Sequence, residues 1–262
     1  MKIGLSTWSL LGLDVNSAVR IIGDNGFDFV ELWGEVPHAY PAWVDRKKLK
    51  DSLSTYEMAL TMHAPFTDLN PATAFQPVKG AVERTLEEFV RFSDFLGAKI
   101  ITVHPGSVHN EALVPQSAQN AIGTIRKMTK AAGGTLAINV ENQTKSASKY
   151  HFPLASTHES LELILAEVEG SGFTLDTGHA HVNGIEPRRL AERTSERMTE
   201  VHLSDNSGVS DDHLFPGEGD AQLSPLLAGL AKTDALICLE LNPHRYGPER
   251  ILELSRSFKA SL

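Results

Sequence analysis

The chain has 262 residues, of which 41% are hydrophobic and 22% are charged, and its formal net charge at pH 7 is −9. These proportions are those of an ordinary globular protein, long enough for one large α/β unit or two small ones. The sequence contains no run of about 18 apolar residues, which excludes a transmembrane helix, and its acidic balance argues against strong non-specific binding to nucleic acid.

The first residues and the single cysteine indicate the compartment. Residues 1–6 enter a strand-like segment at once, without the apolar stretch and cleavage site of a signal peptide. Cys238 is the only cysteine, which excludes an internal disulfide and a thiolate zinc finger. We therefore expect a reducing, cytoplasmic location, with Cys238 as a small buried hydrophobic residue.

A short β-rich run followed by a helical stretch repeats eight times along the chain. Several runs, such as Ile100–Val103 and Leu136–Val140, are almost continuously apolar, which is typical of strands buried on both faces. The predicted strands are Ile3–Ser9, Phe27–Leu32, Ala59–His63, Lys99–His104, Leu136–Glu141, Phe173–Asp176, Thr199–Leu203 and Leu236–Leu241.

Helical patterns lie between these strands. Apolar residues recur at helical spacing over Val82–Leu96. A second helix is predicted over Ala118–Ala132, which follows a proline and ends at two glycines. Ser156 and Glu159 predict a capping box before the next helix, and the final helix is predicted near Glu249–Lys259.

Eight βα units in a chain of this length are typical of a single (β/α)8 TIM barrel. The alternative is an open, doubly wound sheet, which needs a glycine-rich nucleotide loop in its first βαβ unit. The candidate glycines, Gly217 and Gly219, come too late in the chain for that role. Since no linker or low-complexity segment interrupts the pattern, residues 1–262 are predicted to form one domain.

The third to eighth predicted strands all end in a histidine or an acidic residue: His63, His104, Glu141, Asp176, His202 and Glu240. In a TIM barrel the C-terminal ends of the strands meet at one mouth. One such residue alone is more often structural. Six successive donors are different, because carboxylates packed this closely repel one another unless a cation neutralises them. The pattern therefore predicts a divalent metal centre.

Three further donors near the strand ends, His179, Asp211 and His213, bring the set to nine side chains. A single zinc ion takes about four protein ligands, so nine donors suit two or three ions, with Glu141 bridging. Imidazole and carboxylate donors without thiolate favour zinc, with manganese as an alternative.

The donor motifs, taken as an ordered set, resemble the xylose isomerase-like TIM-barrel superfamily. This group includes sugar-phosphate isomerases and epimerases, and also endonuclease IV. The resemblance covers essentially the whole chain and rests on His63-Ala-Pro, His104-Pro-Gly, Glu141-Asn, Asp176-Thr-Gly-His179, His202-Leu-Ser-Asp, Asp211-Asp-His213 and Gly217-Glu-Gly219.

The two branches of this superfamily imply different roles for the donors. Resemblance to the sugar epimerases implies one metal at Glu141, Asp176, His202 and Glu240, with Glu141 and Glu240 as the catalytic groups that flank the substrate carbon. Resemblance to endonuclease IV implies that all nine donors hold three zinc ions. The loop over residues 33–43 lacks the arginine-bearing pattern of the endonucleases that intercalates into DNA, and Glu31 resembles a feature of the sugar-isomerase side.

The preferred prediction is a metal-dependent sugar or sugar-phosphate isomerase or epimerase that moves a proton next to a carbonyl, with a small carbohydrate as its partner. The alternative is a zinc phosphodiesterase acting at abasic DNA, and only this alternative requires nucleic acid. A non-enzymatic barrel that binds a ligand or a metal is a third possibility. The sequence does not fix the oligomeric state.

Residues beside the donors are predicted to support them. Asp205, Asn142 and Glu218 are expected to orient His202, Glu141 and the loop after the seventh predicted strand, since metal-bound histidines usually need a second hydrogen-bond partner. The other histidines are expected in loops or caps and mostly in contact with solvent: His38, His109, His151, His158, His181 and His244.

Overall fold

The computed structural model describes residues 1–262. Its ten strands are, in chain order, β1 Lys2–Ser6, β2 Phe29–Trp33, β3 Ala59–His63, β4 Ile100–Val103, β5 Ser107–Val108, β6 Ala137–Glu141, β7 Phe152–Pro153, β8 Gly172–Asp176, β9 Met198–Leu203 and β10 Leu236–Leu239. Strands β5 and β7 form a separate antiparallel pair, and the other eight strands close a parallel barrel. The predicted (β/α)8 TIM barrel is confirmed.

Helices follow the barrel strands, as this architecture requires. The nine α-helices are α1 Val15–Asp24, α2 Arg46–Leu53, α3 Gln76–Leu96, α4 Val114–Ala132, α5 His158–Glu167, α6 Thr177–Val182, α7 Pro187–Arg193, α8 Leu223–Leu230 and α9 Pro248–Ala260. Two short 3-10 helices cover Thr7–Leu10 and Glu111–Leu113. None of the helices combines the length and the apolar character needed to cross a bilayer.

The hydrophobic core between the barrel strands and the surrounding helices fixes the strand ends that form the mouth of the barrel. Strands β4 and β6 bury almost every residue, as their apolar runs predict. Helix α3 turns Leu86, Phe89 and Val90 inwards, and sixty buried hydrophobic residues form one continuous core. Burial of side chains of this size contributes about 1.5–3 kcal/mol each. The core therefore holds the strand ends rigidly.

The bounds of most strands differ from the sequence-based prediction by one to three residues, and three local differences have a physical explanation. Strand β1 ends at Ser6 because the Ser6 side chain accepts a hydrogen bond from the backbone of Trp8 and starts a 3-10 helix. The capping box of α5 uses Thr157 and Ser160, so the prediction of Ser156 and Glu159 was wrong. The pair β5–β7 was missed, since two-residue strands are too short to carry an alternating pattern.

Candidate metal centre

A cavity of about 620 Å³ opens at the C-terminal ends of the barrel strands. Seven of the nine predicted donors line it, and the remaining two, Asp176 and His202, are fully buried beside it. The structure therefore brings all nine residues together, although they come from six different strand ends, from α6 and from the loop after β9.

Glu141, at the end of β6, lies at the centre of the cluster. Its Oε2 atom lies 3.1 Å from Nε2 of His63 and 3.0 Å from Nε2 of His104. Its Oε1 atom lies 3.2 Å from Nδ1 of His202 and 3.6 Å from Nδ1 of His179. This carboxylate therefore connects donors on both sides, which is the arrangement expected of a bridging ligand.

Asp176, His202 and Glu240 form a second group of donors, whose ligand atoms all lie within 4.8 Å of one another. Nδ1 of His202 lies 3.5 Å from Oε2 of Glu240. Oδ1 of Asp176 accepts a hydrogen bond of 2.6 Å from the backbone N–H of His179, whereas Oδ2 is buried without a partner. With Glu141, this group contains the four donors of the epimerase pattern.

Asp211 lies between the imidazoles of His179 and His213. Its Oδ2 atom lies 3.1 Å from Nε2 of His179 and 3.0 Å from Nε2 of His213, and its Oδ1 atom is buried without a partner. Gly178 makes this approach possible, because a Cβ atom there would lie only 2.7 Å from Oδ1 of Asp211.

Backbone carbonyls fix the tautomers of three of the histidines. Nδ1 of His63 lies 2.9 Å from the carbonyl of Ala64, and Nδ1 of His179 lies 2.6 Å from that of Asn142. Nδ1 of His213 likewise faces a carbonyl at 3.2 Å. A carbonyl only accepts, so each Nδ1 carries a proton and each Nε2 faces the cluster, where deprotonation of the ring frees its lone pair for a metal.

His202 has the opposite orientation, because its partner is a carboxylate. Its Nε2 lies 2.9 Å from Oε2 of Glu31 on β2, across the barrel interior, in a charge contact that lacks hydrogen-bond geometry, and both side chains are fully buried. Nδ1 of His202 is left to face Glu141 and Glu240. A carboxylate behind an imidazole is a common arrangement in metal sites, where it orients the ring and makes it a stronger ligand.

Burial and neighbouring charges shift the pKa values of the cluster in opposite directions. Burial opposes charge on His63 and His213, but contact with Glu141 and Asp211 respectively raises each pKa to about 9. Burial raises the pKa of Glu240 to about 7. For Glu141 burial acts in the same direction, but the neighbouring imidazoles outweigh it and hold the pKa well below its ordinary value. Without metal, protons on His63 and His213 therefore offset part of the negative charge of the carboxylates.

The donor set fits a divalent metal. Two carboxylate oxygens, Oδ2 of Asp176 and Oδ1 of Asp211, are buried with no hydrogen-bond donor. Buried carboxylate oxygens without partners are costly unless a cation satisfies them. Hard oxygens mixed with imidazole nitrogens, and no thiolate, are the donors that zinc and manganese accept in proteins.

Comparison with known proteins identifies the family of this barrel. A family model described as xylose isomerase-like TIM barrel matches residues 19–261. The chain belongs to this family. The resemblance stated from the sequence is therefore confirmed.

Relatives of the xylose isomerase-like barrel include named epimerases. An uncharacterized protein of Methanocaldococcus jannaschii is 28% identical over 250 residues, which cover 92% of this chain and 83% of the relative. A fructoselysine 3-epimerase of Shigella flexneri is 20% identical over 98% of both chains. The crystal structure of a D-tagatose 3-epimerase-like protein superposes with a TM-score of 0.85 at 25% identity, covering 99% of this chain and 96% of the other.

In this xylose isomerase-like barrel, Asp205 and Asn142 do not orient the side chains of His202 and Glu141 as predicted. Asp205 accepts hydrogen bonds from the backbones of Asn206, Gly217 and Ala221, so it braces the loop after β9 and does not contact His202. Asn142 bonds the backbone of Asp176 and not the side chain of Glu141. The sequence pointed to neighbours in the chain, whereas the observed partner of His202 comes from β2.

Two other expectations concern Glu218 and His38. Glu218 accepts a hydrogen bond from the hydroxyl of Tyr246, which in turn accepts from the backbone of Phe215 in the loop after β9, so Glu218 supports this loop as expected. His38 is fully buried, with its Nε2 atom 3.0 Å from the carbonyl of Leu13, although it was expected in contact with solvent. Cys238 is buried, as predicted. Sequence reasoning missed the cavity residues Asn70, Ser107 and Gln143, since isolated polar residues carry no periodic pattern.

Proposed function

We propose that this protein is a metal-dependent sugar isomerase or epimerase that moves a proton on the carbon next to a carbonyl. One observation carries the proposal. Two buried carboxylates, Glu141 and Glu240, lie 3.2 and 3.5 Å from the same nitrogen of His202 and also line the cavity. The epimerase names of two relatives support this reaction class.

In this proposal Glu141, Asp176, His202 and Glu240 hold one catalytic divalent metal. When bound, the metal polarises the substrate carbonyl and stabilises negative charge on its oxygen. Zinc and manganese both suit the donors. His63, His104, His179, Asp211 and His213 hold a further ion or ions.

Glu141 and Glu240 carry the proton transfer. One carboxylate removes the proton from the carbon, and the other returns a proton to the opposite face, which inverts the configuration. Return of the proton to the neighbouring carbon instead gives an isomerase. Both groups are less than one-tenth exposed, so bulk water does not compete for the proton.

The cavity lining suits an uncharged carbohydrate. Trp8, Trp33 and Phe66 present aromatic surface to the cavity, which can pack against the C–H groups of a sugar. No lysine or arginine is among the residues that line it. Phosphate groups are usually bound by such cations or by helix N-termini, so the lining favours a sugar over a sugar phosphate.

Phosphodiester hydrolysis is the second candidate, and one observation favours it. The donors beyond the epimerase four lie in direct contact with Glu141 or Asp211, as expected of a multinuclear centre that positions a hydroxide nucleophile. The lack of cationic residues in the lining argues against a DNA backbone as the substrate. We therefore place it second.

Product analysis tests the proposal. Protein stripped of metal and reloaded with zinc, manganese or no metal is incubated with a panel of ketoses, aldoses and their phosphates, and the sugars are analysed by NMR. We expect an epimer or isomer of at least one sugar, formed only with metal. Conversion of no sugar with any metal, together with metal-dependent incision of an abasic-site duplex, would favour the second candidate instead.

A further inference from the structure

Part of the cavity lining does not belong to the nine donors. We call the part lined by Asn70, Ser107, His109, Gln143 and His151 the distal arm. None of these residues belongs to the proposed metal centre. The whole cavity, at about 620 Å³, is of the size that binds ligands larger than one small sugar.

The strand pair β5–β7 builds this wall. Ser107 pairs with Pro153 and Val108 pairs with Phe152 in antiparallel register. The next positions outwards are His109 and His151, whose rings stack with centroids 5.0 Å apart and planes inclined by 23°. The small sheet therefore presents two imidazoles side by side at the cavity.

Hydrogen bonds hold the side chains of Asn70 and Ser107 in place between the two histidines and the barrel. The side chain of Asn70 donates to the carbonyl of Ser107 at 2.7 Å and accepts from its N–H at 3.1 Å. Gly106 permits this contact, since it has a φ of +94° and a Cβ atom there would lie 2.1 Å from Oδ1 of Asn70. The Ser107 hydroxyl in turn lies 2.8 Å from Nε2 of His151. The arm is therefore preorganised.

The distal arm offers both hydrogen-bond donors and hydrogen-bond acceptors, and none of its residues carries a permanent charge. Nδ1 of His109 faces the carbonyl of Tyr150 at 3.2 Å and carries the proton, which leaves Nε2 as an acceptor. Oε1 of Gln143 accepts from the N–H of Gly106 at 3.0 Å, which leaves the NH₂ group for a ligand. Burial, followed by the nearby His109, lowers the pKa of His151, so this ring is neutral at neutral pH. Such groups match hydroxyls better than carboxylates or phosphates.

We propose that the distal arm is a subsite for a second polyhydroxyl unit, so that the substrate is a ketose joined to another sugar or polyol. This inference rests on the proposed function, because it places the reacting ketose at Glu141 and Glu240. Ser107 follows His104 by three residues, so at most about 10 Å of chain separates the arm from the cluster. Adjacent units of one ligand can bridge that distance.

Kinetics on matched sugars tests the subsite. The panel contains D-fructose, the ketose disaccharides lactulose and isomaltulose, and D-fructose 6-phosphate, and the readout is exchange of carbon-bound hydrogen with D₂O. We expect a lower KM for a disaccharide than for fructose or its phosphate. His151→Ala should raise the KM for that disaccharide about 10-fold, with kcat and the KM for fructose little changed. His244→Ala, an exposed histidine outside the cavity, is the matched control.

A lower KM for fructose or fructose 6-phosphate than for the disaccharides would overturn the subsite. An equal rise in KM for all sugars in His151→Ala would overturn it as well. Binding of maltitol, which has no carbonyl to react, separates the subsite from the chemistry. Maltitol, but not sorbitol, should shift the imidazole NMR signals of His109 and His151. Shifts with maltitol but no exchange on any sugar would contradict the proposed function and support the subsite. Exchange without such shifts would overturn the subsite alone.

Discussion

Nε2 of His202 lies 2.9 Å from Oε2 of Glu31, and neither side chain is exposed to solvent. Glu31 belongs to β2 and His202 to β9, so the pair crosses the interior of the barrel beneath the mouth. The contact turns Nδ1 of His202 towards Glu141 and Glu240. One buried carboxylate outside the nine donors thus determines how a central donor faces the site.

Replacing Glu31 tests this role. We expect Glu31→Gln to weaken metal binding by about 10- to 100-fold, because the imidazole loses the carboxylate that orients it. The measurement is a competitive zinc or manganese titration of stripped protein. Glu57→Gln, at an exposed position, is the matched control. Equal affinities in the two variants would show that Glu31 does not support the donor.

The pKa shifts predict opposite pH responses for the metal-free and metal-loaded protein. The folded-state pKa values of His63 and His213, about 9, lie above the ordinary value of 6.5. Their contribution to stability is therefore complete below about pH 6.5 and is lost as the pH rises through 9. Metal binds the deprotonated rings, so its stabilising effect should grow over the same range.

Thermal unfolding at several pH values checks this expectation. The Tm of chelated protein should fall between pH 6.5 and 9.5, while the increase in Tm on adding zinc should become larger. Inductively coupled plasma analysis verifies that the chelated samples hold no metal. A Tm of the chelated protein that stays constant or rises over this range would contradict the described charge balance.

A side chain at Gly178 should displace Asp211 and Ser204. A Cβ atom at this position would lie 2.7 Å from Oδ1 of Asp211 and 2.8 Å from Oγ of Ser204. We expect Gly178→Ala to lower the free energy of unfolding by about 1–3 kcal/mol, as overpacking does. Gly123→Ala is the control, because open space surrounds Gly123 within α4. That change should stabilise the protein by about 0.5–1 kcal/mol.

Urea denaturation measures both glycine variants. Opposite signs for the two changes would support the close approach of Asp211 to the turn after β8. Similar stabilities of Gly178→Ala and Gly123→Ala would contradict the packing described around Asp211.

Asp211 is the accessory donor that distinguishes the two candidate reactions. It groups with Asp176 and His179 and contacts His213, but it lies outside the group formed by Asp176, His202 and Glu240. We expect Asp211→Asn to reduce sugar turnover less than Glu240→Gln does. In a multinuclear phosphodiesterase the two changes would cost about the same, since residues that act as a unit are not additive. Steady-state kinetics of metal-loaded variants distinguishes these outcomes.

The sequence predicts the barrel and the convergence of the nine side chains at its mouth, because both follow from local patterns. Apolar runs that end in histidine or carboxylate, such as the run before Glu141, identify a buried strand and its C-terminal end together. The partner of His202 depends on which strand lies across the barrel, and no local pattern contains that information. Asp205 illustrates the limit, since it is close to His202 in the chain but bonds the loop over residues 206–221.

Exchange of carbon-bound hydrogen with D₂O tests the central claim most directly. Wild-type protein and Glu240→Gln, loaded with equal amounts of metal, are incubated in D₂O with the sugar that is turned over, and deuterium at each carbon is followed by NMR. We predict metal-dependent deuterium incorporation next to the carbonyl by the wild type, and a loss of about 100- to 10,000-fold in Glu240→Gln. Equal incorporation by both proteins, or none by the wild type with any sugar, would contradict proton transfer by these carboxylates.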